Sequence, residues 1–460
     1  MSNQSAVRSQ RHAQSARERV AIIGGGVSGA LTAVALAEHG FRVIALEKAS
    51  IGNGSSQRSL ACIRAQFGVA ETVLGMMYSE WWYTHAHELL HTPADQRQET
   101  IITQNGYLFL YEHPDAIPPW RPDARQIAQA AWEQGQANAA MHQRLGLPVE
   151  LLTPEEIHTR WPHLAADRLI GATFCPQDGF LKPDLIYRLG FRRAQELGVE
   201  LWENTEVTGA QTRGGRITAL ETTRGPVEAD WVVNATNAWA PRVSRRLGGM
   251  ELPIAPIKRY LYAFQAQRPI PGVANWRTLP MTIYGMGEGR GAHSRPEAGQ
   301  DPGHLLFGWS HPTAPEPDFT DAEQDVIQPG FRHDVFDERY GEAVNYGYAL
   351  LRQVCDFVPG LDDCGGITAT TSGYYGATPD GSPLIGHDAR LGNLIHAAGF
   401  SGHGVMHAPI TALLASAIIA GEIQDGAVRL PAPFDGQTIN LAAFDPQRDM
   451  SQTQHEAYVL

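Results

Sequence analysis

Four cysteines, Cys62, Cys175, Cys355 and Cys364, are all that this 460-residue chain carries. None falls in a Cys-x-x-Cys pair and no short Cys/His cluster has zinc spacing, so neither a redox dithiol nor a metal knuckle organises the protein. The thiols are expected as small buried hydrophobes. Positive charge is also scarce. Lys and Arg total 36 against 49 Asp and Glu, a formal charge of −13, which argues against a nucleic-acid or anionic-membrane surface. No run of eighteen apolar residues is free of charge, so no membrane span is expected. Residues 1–17 are rich in Ser, Gln, Arg and Ala and lack the apolar segment of a secretory signal; they are expected as a disordered leader on a cytoplasmic protein handling small molecules. With 43% hydrophobic residues, the chain is long enough for two or three domains.

Glycine, by contrast, is abundant, and its placement is informative. Arg19 to Lys48 reads as an apolar run (Val20 to Ile23), the turn GGGVSG, a small-residue helix ending at Gly40 and a second apolar run ending on Glu47. Gly24, Gly26 and Gly29 fit G-x-G-x-x-G at a strand-to-helix turn. Missing side chains there let backbone N–H groups and a helix N-terminus approach a pyrophosphate. Glu47, about twenty residues on, is placed to accept hydrogen bonds from a ribose. Strand, turn, helix, strand and acid arrive in the order a dinucleotide-binding βαβ unit needs.

Further along, residues 49–68 read as an extended Gly/Ser loop carrying Arg58 and Arg64, followed by a helix over 69–90 whose Trp and Met residues pack a core. Ile102 to Glu112 is expected as a hairpin turning at Asn105-Gly106. A polar helix over 125–145 follows, then a short one capped by Thr153 with Glu156 three residues on. Pro183 to Leu197 reads as an amphipathic helix leading to strands at 199–202 and 205–211. A hairpin at 217–222 and 226–233 then returns the chain to the nucleotide fold. Lys258 to Phe264 alternates like a half-buried strand. Residues 285–317 read as loop broken by one strand at 304–309, and 338–357 as helix. Leu394 to Ala397 is a strand, GFSGHG a glycine turn, and Ala408 to Ala420 a helix stopped by Gly421. This repeats the physics of the opening motif and again aims a helix N-terminus at something electron-rich.

Three stretches carry a resemblance: GGGVSG with Glu47, TPDGSPLIG at Thr378 to Gly386, and AAGFSGHGVMH at Ala397 to His407. In this order they resemble the D-amino-acid-oxidase and sarcosine-oxidase-like family of FAD-dependent oxidoreductases, with sarcosine oxidase and the sarcosine and dimethylglycine dehydrogenases nearest. The resemblance implies an α/β fold with a discontinuous, doubly wound FAD-binding domain (18–98, 183–248 and 376–445), an antiparallel-sheet α+β substrate domain (99–182 and 249–375) and a C-terminal tail (446–460).

Carried onto this chain, it implies that Gly24, Gly26 and Gly29 take the FAD pyrophosphate and Glu47 the ribose. Val27, Ser28, Lys48 and Ala235 lie with them, and Val207 meets the adenine. Ser55, Ser56, Arg58, Ser59 and Leu60 run along the diphosphate and flavin, and Gly399, Phe400, Gly402, His403, Gly404 and Val405 set a positive helix end near the pyrimidine ring, where charge grows on reduction. Covalent attachment sites of the family fall on Gly373 and Arg58, so FAD is expected to be non-covalent. On the substrate side the resemblance gives Arg64 as carboxylate partner, Tyr375 and His403 beside the reacting centre, and Tyr260 as a further contact. Met406 stands where a family lysine shares the substrate carboxylate, and Leu306 near one that activates oxygen.

The expected activity is oxidation of the C–N bond of a small amine or amino acid, of N-methyl, opine or D-amino-acid type, by hydride transfer to flavin N5. The imine then hydrolyses. Oxygen, a quinone or a partner protein would take the electrons. Against it stand a flavin-binding assembly or scaffold subunit with little turnover, and an NAD-dependent dehydrogenase in which the second glycine turn has no role.

Overall fold

A computed structural model describes residues 18–117, 122–286, 291–297, 303–309, 334–337, 342–454 and 456. Its first framework is a six-stranded sheet in the order Leu384–His387, Leu394–Ala398, Trp231–Asn234, Arg19–Ile23, Arg42–Leu46, Glu200–Trp202. All neighbours run parallel except Leu384–His387. Parallel strands need cover on both faces, which is why Val20 to Ile23 read as an unbroken apolar run and are buried. Helices Val27–Glu38, Pro183–Glu196, Ala70–Thr84 and Gly404–Ala420 cover one face. A three-stranded antiparallel sheet over 207–228 closes the other, packing Val207 and Leu220 onto Ala21, Ile23 and Leu46.

The second framework is an eight-stranded sheet in the order Gly365–Ala377, Ala255–Ala266, His304–Trp309, Ala292–Pro296, Met281–Met286, Tyr107–Glu112, Leu169–Cys175, Glu150–Leu152. It is antiparallel apart from the pairing of Met281–Met286 with Tyr107–Glu112. Helix Tyr346–Cys355 packs Leu350 and Val354 against Tyr262 and Phe307 on one face. The fold is therefore the α/β framework with an added antiparallel-sheet lobe that the motifs imply.

Several elements differ from expectation. Ile102 to Glu112 is not a hairpin: Ile102–Thr103 pairs with Gly179–Leu181, whereas Tyr107–Glu112 enters the eight-stranded sheet. Asn105-Gly106 joins two sheets instead of two strands of one, and its Asn side chain donates to the Leu279 carbonyl at 3.2 Å. The 285–317 loop carries strand Ala292–Pro296 as well as 304–309, and Met281–Met286 runs into its start; short polar strands in a Gly-rich context lack a clear alternation signal. The rest of that loop, and 338–341, lie outside the described residues. Helix 338–357 begins only at Tyr346, where the Asn345 side chain caps it, because Glu342–Asn345 pairs with Asp334–Asp337. The hairpin ends at Glu228, and Trp231–Asn234 crosses into the parallel sheet. The final helix starts at Gly404, ahead of Ala408. Pro409 cannot donate to the Val405 carbonyl one turn back, and the Tyr83 hydroxyl donates to it instead at 2.5 Å.

The capping box at Thr153 and Glu156 is present, with hydrogen bonds of 3.3 and 2.8 Å. Residues 446–454 and 456 do not trail off: Arg448 grips both oxygens of Asp380, and the Glu456 carboxylate accepts from the Gly68 N–H at 2.8 Å. Residues 1–17 lie outside the described residues.

Candidate active site

The first turn is built by contacts too close for a side chain. Gly24 has φ +118°, and a Cβ there would sit 2.6 Å from the Ala235 carbonyl oxygen, so the turn passes flush over the neighbouring strand. A Cβ on Gly29 would sit 2.0 Å from the Gly24 oxygen. Gly29 therefore lets the helix seat on its own turn, and it does not line the cleft. Glu47 is held ready at the end of its strand, accepting from the N–H groups of Gly25 (2.7 Å) and Ala49 (2.9 Å).

The second turn, at residues 399–404, reverses through three left-handed residues, Gly399 (φ +73°), Ser401 (φ +48°) and Gly402 (φ +91°), and Gly399 packs against Thr378. A Cβ on Gly402 would lie 2.3 Å from the Tyr375 ring, so the absent side chain is what admits that ring.

Both turns open into one cleft of about 460 Å³. Gly24, Gly26, Val27, Ser28, Glu47 and Lys48 line it at one end, with Val207 and Ala235. Ser55, Ser56, Arg58, Ser59 and Gly373 lie along its length, and Phe400, Gly402, Gly404, Val405 and Tyr375 close the other end. Ser56 Oγ accepts from the Val27 N–H at 3.3 Å, and Ser55 Oγ donates to the Tyr374 carbonyl at 2.6 Å, tying the loop to the first helix start and to the eight-stranded sheet. Gly373 lies against Arg58: a Cβ on it would be 3.1 Å from the Arg58 Cβ. A backbone-lined groove at two helix starts, with a carboxylate beyond one of them, has the donors and acceptor that suit a flavin dinucleotide.

The remaining candidates do not line the cleft. Leu60 packs with Cys62 and Tyr107 and lends its carbonyl to the Arg295 Nε at 2.6 Å. Met406 is buried in the helical core. Tyr260 packs against Tyr346, on the sheet face opposite Tyr375, because the register sets it beside Ser372 while Tyr375 faces Ile257. Arg64 is completely buried: its Nη1 donates to the Gln66 carbonyl at 2.5 Å, its Nη2 to His403 Nε2 at 3.1 Å, and its guanidinium lies 4.0 Å from the Phe67 ring centroid. Burial, Arg64 and His407 together push the His403 pKa well below the ordinary histidine range, so its ring is a neutral acceptor for the arginine. Burial likewise raises the Tyr375 phenol, which stays protonated and able to donate.

Sequence reasoning missed Asn237, Trp239, Arg242 and Arg246, which line the cleft from the segment after Asn234. Asn237 has φ +49° and its carboxamide oxygen accepts from the Phe400 N–H at 3.2 Å, joining the strand end to the second turn. The signal was present in NATNAWAP, where small and Asn residues follow a buried strand.

Fold and cleft together define a dinucleotide-binding flavoprotein. A family model described as FAD dependent oxidoreductase (DAO) matches residues 19–418, and the chain belongs to that family. It is similar to glycine oxidase of Geobacillus kaustophilus, 27% identical over 413 residues, covering 88% of this chain and 93% of the relative. It is also similar to FAD-dependent oxidoreductase domain-containing protein 1 of Xenopus laevis, 26% identical over 475 aligned positions, covering 95% and 83%. Among solved structures, L-proline dehydrogenase from P. horikoshii superposes with a TM-score of 0.72 at 27% identity, covering 93% of this chain and 96% of that one.

Proposed function

We propose that this enzyme oxidises the C–N bond of a small amino acid or amine, and that the imine formed is hydrolysed to a carbonyl compound and a smaller amine. The observation that carries this reading is the convergence of two glycine-turned helix starts on one cleft closed by Tyr375. Relatives named for the oxidation of glycine and L-proline support it.

Bound FAD supplies the two-electron acceptor. The chain supplies the rest: the Gly404–Ala420 helix presents its positive end, and the Tyr375 ring closes the cleft where the substrate would lie. His403, held well below the ordinary histidine range, is too weak a base to take a proton from a substrate ammonium near pH 7, so the amine reacts after losing that proton elsewhere. Gly373 has no side chain and Arg58 no nucleophile for a flavin bond, which supports non-covalent attachment. Leu306 packs beside the Leu60 and Phe109 cluster, and the electrons go to oxygen, a quinone or a partner protein.

The test is anaerobic bleaching of the flavin by a panel of glycine, L-proline, N-methyl amino acids, opines and D-amino acids. Reduction by one class supports the proposal; a flavin that none of them bleaches overturns it in favour of a scaffold subunit. Acid denaturation should release the flavin into solution.

A further inference from the structure

We propose that Glu80 and Asp178 share a single proton, and that the one negative charge they keep is the counter-charge of Arg64. Both acids are then positioning residues: through Arg64 they hold the second glycine turn and set how readily the flavin accepts electrons. This needs bound FAD and no particular substrate. Both carboxyl groups are buried, and neither lines the cleft.

Glu80 sits on helix Ala70–Thr84, and Asp178 in the turn between strands Leu169–Cys175 and Gly179–Leu181. That turn is pinned, since a Cβ on Gly179 would lie 1.9 Å from the Thr103 carbonyl oxygen. The two carboxyls hydrogen-bond to each other, which two carboxylates cannot do, so one of them carries a proton. Their surroundings decide which. Asp178 Oδ1 accepts from the Ala65 N–H at 3.0 Å and Oδ2 from Gln66 Nε2 at 2.8 Å, whereas Glu80 Oε1 has no partner among the described residues. Burial raises Asp178, and these donors work against it. Glu80, raised well above the carboxylate range by burial and then by its neighbour's charge, keeps the proton.

From Asp178 the hydrogen bonds run to the cleft without a break. Gln66 donates to Asp178 through its side chain and accepts from Arg64 Nη1 through its carbonyl, and Arg64 Nη2 donates to His403. His403 stands between Gly402 and Gly404, which line the cleft. The Tyr107 phenol, raised by burial, registers both charges: Arg64 lowers it and Asp178 raises it. A guanidinium sealed from water needs an anion in reach. With Arg64 positive and the acid pair singly negative, the network adds no net charge beside the turn.

The test uses the holoenzyme with Glu80→Gln and Asp178→Asn, read by infrared spectroscopy and by the flavin midpoint potential. Near pH 7 the wild-type spectrum should contain a protonated-carboxyl C=O band that Glu80→Gln removes and Asp178→Asn keeps. Asp178→Asn leaves Arg64 uncompensated, so reduced flavin is favoured about tenfold, which for two electrons raises the midpoint by about 30 mV. Glu80→Gln exchanges one neutral group for another of similar shape and should leave the midpoint unmoved. A packing role alone would shift both variants alike. No carboxyl band lost in Glu80→Gln, an unmoved midpoint in Asp178→Asn, or an equal shift in both overturns the assignment. If Asp178→Asn does not fold, Glu80→Gln decides: band lost with midpoint kept supports it, and any other pairing overturns it. The midpoint is read with a chemical reductant, so a flavin that no amine or amino acid bleaches overturns the proposed activity and leaves this result standing.

Discussion

At the nucleotide end of the cleft the chain presents backbone; at the Tyr375 end it presents side chains. The first end is a turn, a helix start and a carboxylate, all within Gly24 to Glu47, and its tolerances are set by carbonyl oxygens that would lie 2.0 and 2.6 Å from a Cβ on Gly29 and on Gly24. The second is assembled from Gly373, Tyr375, Phe400 and Gly402, drawn from segments far apart in sequence and positioned by sheet register and ring packing. A backbone site fails all at once when its geometry is broken. A side-chain site fails by degrees and in ways that separate binding from chemistry.

The sharpest break in that comparison is Gly29→Ala. A methyl group 2.0 Å from the Gly24 oxygen cannot be relieved by a rotamer change, so we expect purified protein to lose nearly all bound flavin, read as the ratio of flavin to protein absorbance. Gly402→Ala tests the other end: its φ of +91° and the Tyr375 ring at 2.3 Å force the ring aside. Flavin should be retained while amino-acid-driven bleaching slows about a hundredfold, as a misplaced reacting group does. Equal flavin loss in both variants would erase the distinction.

Glu47→Gln is milder. It keeps an oxygen for the Gly25 N–H but loses the charge, so the FAD dissociation constant should rise about tenfold, measured by fluorescence titration of apoprotein. The smallest effect is a pH dependence to which the buried histidines near the side-chain end contribute. Burial lowers His293 and His407 to about 4, with Arg64 adding to it in both, and pushes His403 well below the ordinary histidine range. Their folded values lie below the unfolded value of about 6.5, so the unfolded chain binds more protons in that window and stability is full above it. Each histidine then costs up to about 1.4 kcal/mol per pH unit as pH falls from 6.5 toward 4. The melting temperature should drop between pH 7 and 5, and His293→Phe should flatten that slope; an identical slope in the variant would count against the assignment. Asp388 does not blur the result. Burial raises its pKa, but the His396 bond at 2.9 Å and the N–H groups of Met250, Arg390 and Leu391 outweigh this and hold it at about 2, so its contribution is lost only in stronger acid.

Much of the first end was legible without a structure, and little of the second. Gly24, Gly26 and Glu47 could be placed because turn geometry depends on neighbours in sequence, and Gly402 and Gly404 for the same reason. Gly29 was recognised, but its part in seating the helix emerges only from its distance to the Gly24 oxygen. Tyr260 was set near the substrate although alternation along its strand turns it to the other face. Arg64 was expected to meet a ligand, and it meets Gln66 and His403. Asn105-Gly106 carried a hairpin signal, yet the chain there passes from one sheet to another, since which strand a segment pairs with is decided by distant partners.

The order of glycines, apolar runs and acid determined by itself that this chain folds around a dinucleotide, because short-range backbone sterics leave such a pattern few other outcomes. That Arg64 is sealed against Gln66 and His403 was decided only in three dimensions. A side chain's exposure depends on the register of strands that meet from distant parts of the chain, and no local pattern records it.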